Sequence, residues 1–423
     1  MTIESLYQIY LQHPGIQTDT RRLEAGDLFF ALKGPNFNGN QFVQAALDKG
    51  AAYAVIDEDA YVIEGKTILV DDVLATLQQL AGYHRNQFDI PVLAITGSNG
   101  KTTSKELISA VLSMHLRTHT TEGNLNNHIG VPITLLKLKK DAEIAVIEMG
   151  ANHKREIAGY CEYTRPTHGL ITNVGKAHLE GFGGEEGVKI WKGELFDFLR
   201  AHKGTAFIMN DYTYLQEMSA GIQEIITYGS SAEDTVSGKV EESDPFLAVR
   251  LKEGSLVRSQ LVGDYNLANI LAAVAVGRYF GVPEEKIIEG IEAYTPSNSR
   301  SQMVSSGSNR IILDAYNANP SSMRSAIENF GRLAGDKKLL FLGSMAELGP
   351  ESRAEHEALI NLIGQHEWNE VVLVGEGFSG IDHPYLSFAD SLEAGKWFRE
   401  AQITNSLILV KGSRSTRMER VIG

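Results

Sequence analysis

The chain has one cysteine in 423 residues, Cys161. A single thiol excludes an intrachain disulfide framework and suits a reducing compartment such as the cytoplasm. No long run of Lys and Arg occurs, and the net charge is −14, so a nucleic-acid footprint, which needs clustered basic residues, is not expected. The same acidic balance argues against resting on an anionic membrane. No stretch approaches the roughly 18 apolar residues of a membrane span. Glu4 stands early and no apolar h-region follows, so no signal peptide is expected. No internal repeat of fixed period is present. What remains is a globular composition, 43% hydrophobic and 22% charged, with length enough for several domains.

The strongest local signal is Pro91-Val-Leu-Ala-Ile-Thr-Gly-Ser-Asn-Gly-Lys-Thr-Thr103. The apolar run reads as a buried strand, Gly97-Ser98-Asn99-Gly100 as a turn, and Lys101-Thr102-Thr103 as the start of a helix reaching about Leu116. Loop amides and a helix N-terminus together form an anion cradle. Lys101 would reach the β- and γ-phosphates, and the Thr102 hydroxyl would sit on Mg²⁺. The spacing is the shorter G-x-x-G-K-T, because Ile95 stands where the common phosphate loop has its first glycine. The bland alternative is an ordinary strand-to-helix turn.

Around this motif the chain divides into three α/β units. Residues 1–88 alternate strands (Asp27 to Leu32, Ala52 to Ile56, Thr67 to Val70) with helices (Gln41 to Lys49, Val73 to Arg85). Residues 89–295 hold the phosphate loop, the continuous apolar runs Ala142 to Glu148 and Gly169 to Val174, and an Ala-rich helix from Asn266 to Tyr279. Such runs suit central parallel strands. Within that unit, Gly229 to Asp244 is rich in Ser, Gly and acid, and reads as a surface loop or small hairpin, or as disorder. Residues 296–423 carry strands at Arg310 to Leu313, Lys338 to Leu342, Val371 to Val374 and Leu407 to Val410. The fold class is therefore α/β, with a P-loop ATPase-like parallel sheet in the middle and a Rossmann-like third unit.

Several polar groups fall at strand ends, where open α/β sheets bind ligands. Glu148 closes one apolar strand and is placed for Mg²⁺, although a surface glutamate at a turn reads equally well. His178 lies just past another strand, as a ligand or as a surface residue. Lys192 lies on an expected helix. A plain lysine would repel Mg²⁺ and fits a metal site only with its charge inverted, as in a carbamate; a solvated helix lysine is the simpler reading. Asp314-Ala-Tyr-Asn-Ala-Asn-Pro320 makes a polar turn, with Asp314 suited to a ribose hydroxyl and Arg300 to a phosphate. Turn chemistry or a surface charge is the alternative for each.

Together these pieces resemble the Mur ligase family of peptidoglycan synthesis. The resemblance spans nearly the whole chain. It rests on Asp19-Thr-Arg21, Gly26 to Gly34, Thr96 to Thr103, Thr121 to Thr134, Glu148-Met-Gly150, Asn173 to Gly184, Lys192-Gly-Glu194, Gly263 to Asn269, Asp314 to Pro320 and Lys411-Gly-Ser-Arg414. The phosphate loop, Glu and His mark a superfamily that includes folylpolyglutamate synthase. The Asp314 to Pro320 run points to the D-alanyl-D-alanine-adding kind.

The resemblance implies ATP-dependent amide ligation, with UDP-N-acetylmuramoyl-tripeptide and D-alanyl-D-alanine as substrates, in a cytoplasmic monomer. It implies that Gly97 to Thr103, Asn269, Arg300 and Asp314 bind ATP. Thr102 and Glu148 would hold one Mg²⁺, and His178 and a carbamylated Lys192 a second. Thr20, Arg21, Lys33, Gly34 and Asn38 would bind the UDP moiety. Asn124, Asn126 and Asn127 would face the peptide, and Tyr316, Asn317 and Asn319 the dipeptide. Two departures stand out: Asn38-Gly-Asn40 where Asp-Gly-His is frequent, and Ser344 where Asp often follows Leu-Gly. The rivals are another Mur-type or folate-type amide ligase and a nucleotide-binding module without ligase activity.

Overall fold

Uninterrupted apolar runs become strands covered on both faces, and three parallel-rich sheets result. The computed structural model describes residues 1–176, 179–297 and 299–423, without the side chains of Leu179 and Glu185. Among the described residues the first sheet has four parallel strands in the order Ile16–Gln17, Leu28–Phe30, Tyr53–Ile56 and Thr67–Leu69. Leu28, Phe29 and Phe30 are all buried, as a strand between two helical layers requires. The helix Ile3–Gln12 is absent from the sequence reading. Its apolar face is the short set Leu6, Tyr7 and Tyr10, two of them amphipathic aromatics.

The second sheet has nine strands, in the order Leu256–Val262, Phe246–Leu251, Val236–Ser243, Glu224–Gly229, Thr205–Met209, His168–Ile171, Val92–Thr96, Ile144–Glu148 and Thr118–Thr120. Val92–Thr96 pairs in parallel with His168–Ile171 on one side and with Ile144–Glu148 on the other. Chain connections leave it in both directions. That is a switch point, and it opens a crevice at the strands' C-terminal ends. The parallel sheet expected from the sequence carries an antiparallel far edge. Val236–Ser243 pairs antiparallel with Phe246–Leu251, which pairs antiparallel with Leu256–Val262. Half of the stretch read as a loop or hairpin, Val236–Ser243, is thus the first arm of a hairpin. Its polar composition suits a strand whose residues 239–242, beyond its pairing with Glu224–Gly229, face solvent.

The third sheet has six strands, in the order Gln302–Ser306, Asn309–Asp314, Leu407–Lys411, Lys338–Gly343, Glu370–Val374 and Leu386–Phe388, antiparallel only at the first pair. In-register pairing sets Asp314 beside Lys411 at the C-terminal ends of two neighbouring strands. The helix Lys101–Ser113, shorter than the expected span, packs on the almost wholly buried helix Leu267–Tyr279.

Candidate active site

The phosphate-loop backbone is fixed from beneath by the loop after His168–Ile171. Asn99 N donates to Asn173 Oδ1 at 3.0 Å, and Asn99 O accepts from Thr172 Oγ1 at 2.6 Å. Ser98 Oγ donates to Gly175 O at 3.1 Å and accepts from Gly175 N at 3.0 Å. Gly100 is required twice over: its φ is +78°, and a Cβ there would lie 2.8 Å from Asn269 Oδ1. Asn269 is itself held, accepting from Ser104 Oγ and donating to Asn266 Oδ1, each at 2.8 Å. The helix Lys101–Ser113 begins immediately after, so its free amides face the crevice.

Lys101 Nζ folds over its own loop, donating to Gly97 O at 2.8 Å and Ser98 O at 3.1 Å. Burial pushes its pKa down, Glu148 opposes that shift, and the charge of Arg300 adds to it. An anion bound there would relieve both costs.

Glu148 is fully buried at its strand end. Its Oε1 accepts from Thr102 Oγ1 at 3.0 Å and from Asn126 Nδ2 at 2.7 Å, while Oε2 is buried without a partner. A buried carboxylate oxygen left bare is costly, and a hard cation satisfies it. Lys192 lies on the helix Glu185–His202 with 0% exposure, which rules out the solvated reading. Its Nζ has no hydrogen-bond partner and stands 5.3 Å from the Phe182 ring centroid. Burial drives its pKa well below the ordinary lysine value, and Lys101 pushes the same way against Glu156. The neutral amine so favoured is the form that adds CO₂. The bare Glu148 Oε2 beside the Thr102 hydroxyl is an oxygen pair that fits Mg²⁺. Among the described residues, no three His, Cys, Asp or Glu side chains form a metal cluster by themselves. His178 lies outside the described residues.

The third unit closes the crevice. The Arg300 guanidinium stacks 3.6 Å from the Tyr316 ring centroid, between Ser299 and Ser301, both at positive φ (57° and 48°). Such backbone strain concentrates at ligand sites. Asp314 Oδ2 accepts from buried Lys411 Nζ at 2.5 Å, and Oδ1 from Ser301 N at 3.2 Å. The sequence reading quoted Lys411 without a role; a lysine ending the apolar run Leu407 to Val410 was the available signal. Asn317 Oδ1 accepts from the next amide, Ala318 N. Asn319 caps the helix Pro320–Arg332 and also donates to Asn99 Oδ1 at 2.7 Å.

One cavity of about 690 Å³ joins these groups. Ser98 to Thr103, Asn124, Asn126, Asn127, Glu148, Asn269, Arg300, Asp314, Tyr316, Asn317 and Asn319 all line it. Gly97 lies buried under the loop, and Lys192 is buried away from the lining. A second cavity, of about 700 Å³, meets the first at His128, Glu156 and Tyr160. Thr20, Arg21, Lys33, Gly34 and Asn38 line neither cavity and stay within the first unit. There Lys33 pairs with Asp57 at 3.0 Å, and Asn38 Nδ2 donates to Glu58 at 2.9 Å. Arg21 forks onto Asp19, and Thr20 O accepts from Lys49 Nζ. At the first departure, Asn40 Nδ2 donates to Asp57 at 2.8 Å, and at the second, Ser344 O accepts from Ser413 Oγ at 2.6 Å.

No helix among the described residues is long and apolar enough to cross a membrane. Comparison with known proteins matches the Mur ligase family catalytic domain over residues 13–85, the Mur ligase middle domain over 95–277 and the Mur ligase glutamate ligase domain over 299–414. The UDP-N-acetylmuramoyl-tripeptide--D-alanyl-D-alanine ligase of Bacillus subtilis is 34% identical over 96% of this chain and 92% of its own length. MurF from Acinetobacter baumannii superposes with a TM-score of 0.88 at 31% identity, covering 98% of this chain and 96% of its own. MurF ligase from Thermotoga maritima in complex with ADP gives 0.86 at 27% identity, covering 97% and 96%. With three family domains matched in order and full-length relatives above 30% identity, this chain belongs to the Mur ligase family.

Proposed function

We propose that this chain is the ATP-dependent ligase that joins D-alanyl-D-alanine to UDP-N-acetylmuramoyl-tripeptide in peptidoglycan precursor synthesis, as its Bacillus subtilis relative is named to do. The observation that carries this reading is one cavity shared by the phosphate loop, a carboxylate with a bare buried oxygen, and the Asp314 to Pro320 turn. An electrophile-activating half and an amine-seating half thus face each other across a domain boundary.

Joining a carboxylate to an amine in water is uphill, and a carboxylate is a poor electrophile. The tripeptide's terminal carboxylate oxygen attacks the γ-phosphorus of ATP, and ADP departs. The resulting acyl phosphate is attacked at carbon by the dipeptide amine, which gives up a proton. The tetrahedral intermediate then expels phosphate with the original carboxylate oxygen. No enzyme nucleophile is needed. The loop amides and Lys101 hold transferring charge, and the cavity walls keep water from the acyl phosphate. Arg300 and Asp314 would bind the nucleotide with Asn269 behind the loop. Asn124, Asn126 and Asn127 would line the peptide's path, with the second cavity giving it room. Tyr316 and Asn317 would contact the dipeptide, and Thr20, Arg21, Lys33, Gly34 and Asn38 the UDP group.

Thr102 and Glu148 would hold one Mg²⁺, and a carbamylated Lys192 with His178 a second. Bound there, such ions neutralise phosphate charge and polarise the reacting phosphoryl group. We also propose a cytoplasmic location, on the lone Cys161 and the use of ATP, and a monomer.

The test is amide formation by the purified chain with UDP-muramoyl-tripeptide, ATP and each of several amines. D-Alanyl-D-alanine should support turnover, and glutamate or lysine far less, by a factor of up to about 10⁴ if polar groups built for a dipeptide are left unpaired. Comparable rates with glutamate would move the chain toward the folate-type ligases.

A further inference from the structure

We propose that Asn319 is a positioning residue through which docking of the C-terminal unit sets the phosphate loop, acting on Asn99. The proposal rests on the reading that this loop binds the phosphates of ATP.

Asn99 is fixed on two sides that belong to different parts of the fold. Its backbone is tied within the central unit, N–H to Asn173 Oδ1 and carbonyl to Thr172 Oγ1. Its side chain is tied across the domain boundary, Oδ1 accepting from Asn319 Nδ2 at 2.7 Å. Asn319 is 7% exposed and uses both halves of its amide. The oxygen accepts from Ser322 N at 2.9 Å, capping the helix Pro320–Arg332, and the nitrogen reaches the loop. The cap orients the amide and leaves its donor edge with one target, Asn99.

The neighbouring contacts bring the same surfaces together. Lys176 N donates to Ser321 Oγ at 3.1 Å, and Lys176 Nζ to Glu355 Oε1 at 2.7 Å. A Cβ on Gly175 would lie 2.9 Å from Ser321 Oγ, so the backbones approach closely. None of these other contacts touches the loop itself. With the C-terminal unit undocked, Asn99 would keep its backbone ties and lose its side-chain partner. By linkage, whatever orders the loop favours docking, and docking favours nucleotide binding by the same factor.

The test is a double-mutant cycle on nucleotide affinity. Asn319→Ser keeps a helix-capping oxygen but is too short to reach Asn99. Asn319→Asp keeps the cap and the length but replaces the donor with a carboxylate oxygen that repels Asn99 Oδ1. Asn99→Ala removes the acceptor. ADP affinity is read by calorimetry without acceptor or dipeptide, steady-state KM values for ATP and dipeptide are read separately, and thermal unfolding checks that each variant folds. Each single variant should weaken ADP by about tenfold, the size of one well-made hydrogen bond, and the double variant should be no weaker than the worse single. The dipeptide KM should stay within about twofold. Additive losses in the double variant would overturn the proposal. So would unchanged ADP affinity, or a raised dipeptide KM with unchanged ADP affinity, which would make Asn319 a dipeptide contact. If the wild-type chain makes no amide product but shows the coupling, the functional reading fails and this inference stands.

Discussion

The Thr102 hydroxyl donates to Glu148 Oε1 at 3.0 Å, linking the first turn after the phosphate loop to the end of the neighbouring strand and leaving Glu148 Oε2 buried and bare. Glu148→Gln keeps the shape, and its Oε1 can still accept from Thr102 and Asn126, but it removes the charge and puts a donor in place of the bare Oε2. Turnover should fall by about 10²-fold or more, the scale of losing one preorganised electrostatic contact, and should no longer respond to Mg²⁺ between micromolar and millimolar. A Mg²⁺ titration of phosphate release reads this. A wild-type Mg²⁺ response in the variant would remove Glu148 from the metal site.

Lys101→Ala should abolish ligation without unfolding the chain, because the amine is bonded to loop carbonyls rather than packed in a core. Phosphate release and thermal unfolding measured on one sample decide it. An active, folded variant contradicts the phosphate-loop assignment.

Lys192→Ala should be nearly inactive, and a short-chain carboxylic acid added in solution should restore part of the turnover by supplying the missing oxygens. The motive is an amine with no exposure and no partner. Carbon-13 NMR of the protein in labelled bicarbonate gives an independent readout. A carbamate signal present in wild type and absent in Lys192→Ala is expected, and no signal in either would refute the modification.

His168 packs edge-on to Tyr279 and Phe280, and burial brings its pKa down from 6.5 to about 4, with Glu224 opposing. Between those values the unfolded chain holds a proton that the folded chain does not. Stability is therefore lost as pH falls through that window. Chemical unfolding at intervals from pH 7 to 4 should show a shallower decline for His168→Phe than for wild type. Parallel curves would show that His168 carries no part of the acid sensitivity.

The sheets were legible because every residue of Val92–Thr96 and Ile144–Glu148 is apolar or buried, and such runs have few other fates. The phosphate loop was legible because its glycines answer to backbone needs that only glycine meets. The helix Ile3–Gln12 was not, since two of its three buried residues are tyrosines. The strand Val236–Ser243 was hidden by polar residues on its outer half. For Lys192 the solvated reading was the simpler one, because helical periodicity does not distinguish a buried lysine from a solvated one. Asn319 reads as a ligand contact from its polar turn, and the structure adds two partners that the turn does not announce, the helix cap and Asn99, the latter 220 positions away in sequence. Pairings at such separation leave no local trace.

The central claim is that the tripeptide carboxylate is activated by phosphoryl transfer before the amine attacks. It is tested most directly with UDP-muramoyl-tripeptide labelled with oxygen-18 in its terminal carboxylate, incubated with ATP, D-alanyl-D-alanine and the wild-type chain. Mass spectrometry of the released phosphate should find one labelled oxygen per phosphate formed, matched by one labelled oxygen lost from each new amide. Unlabelled phosphate, its fourth oxygen taken from solvent and formed without amide, would contradict the account and leave this chain an ATPase or a nucleotide-binding module.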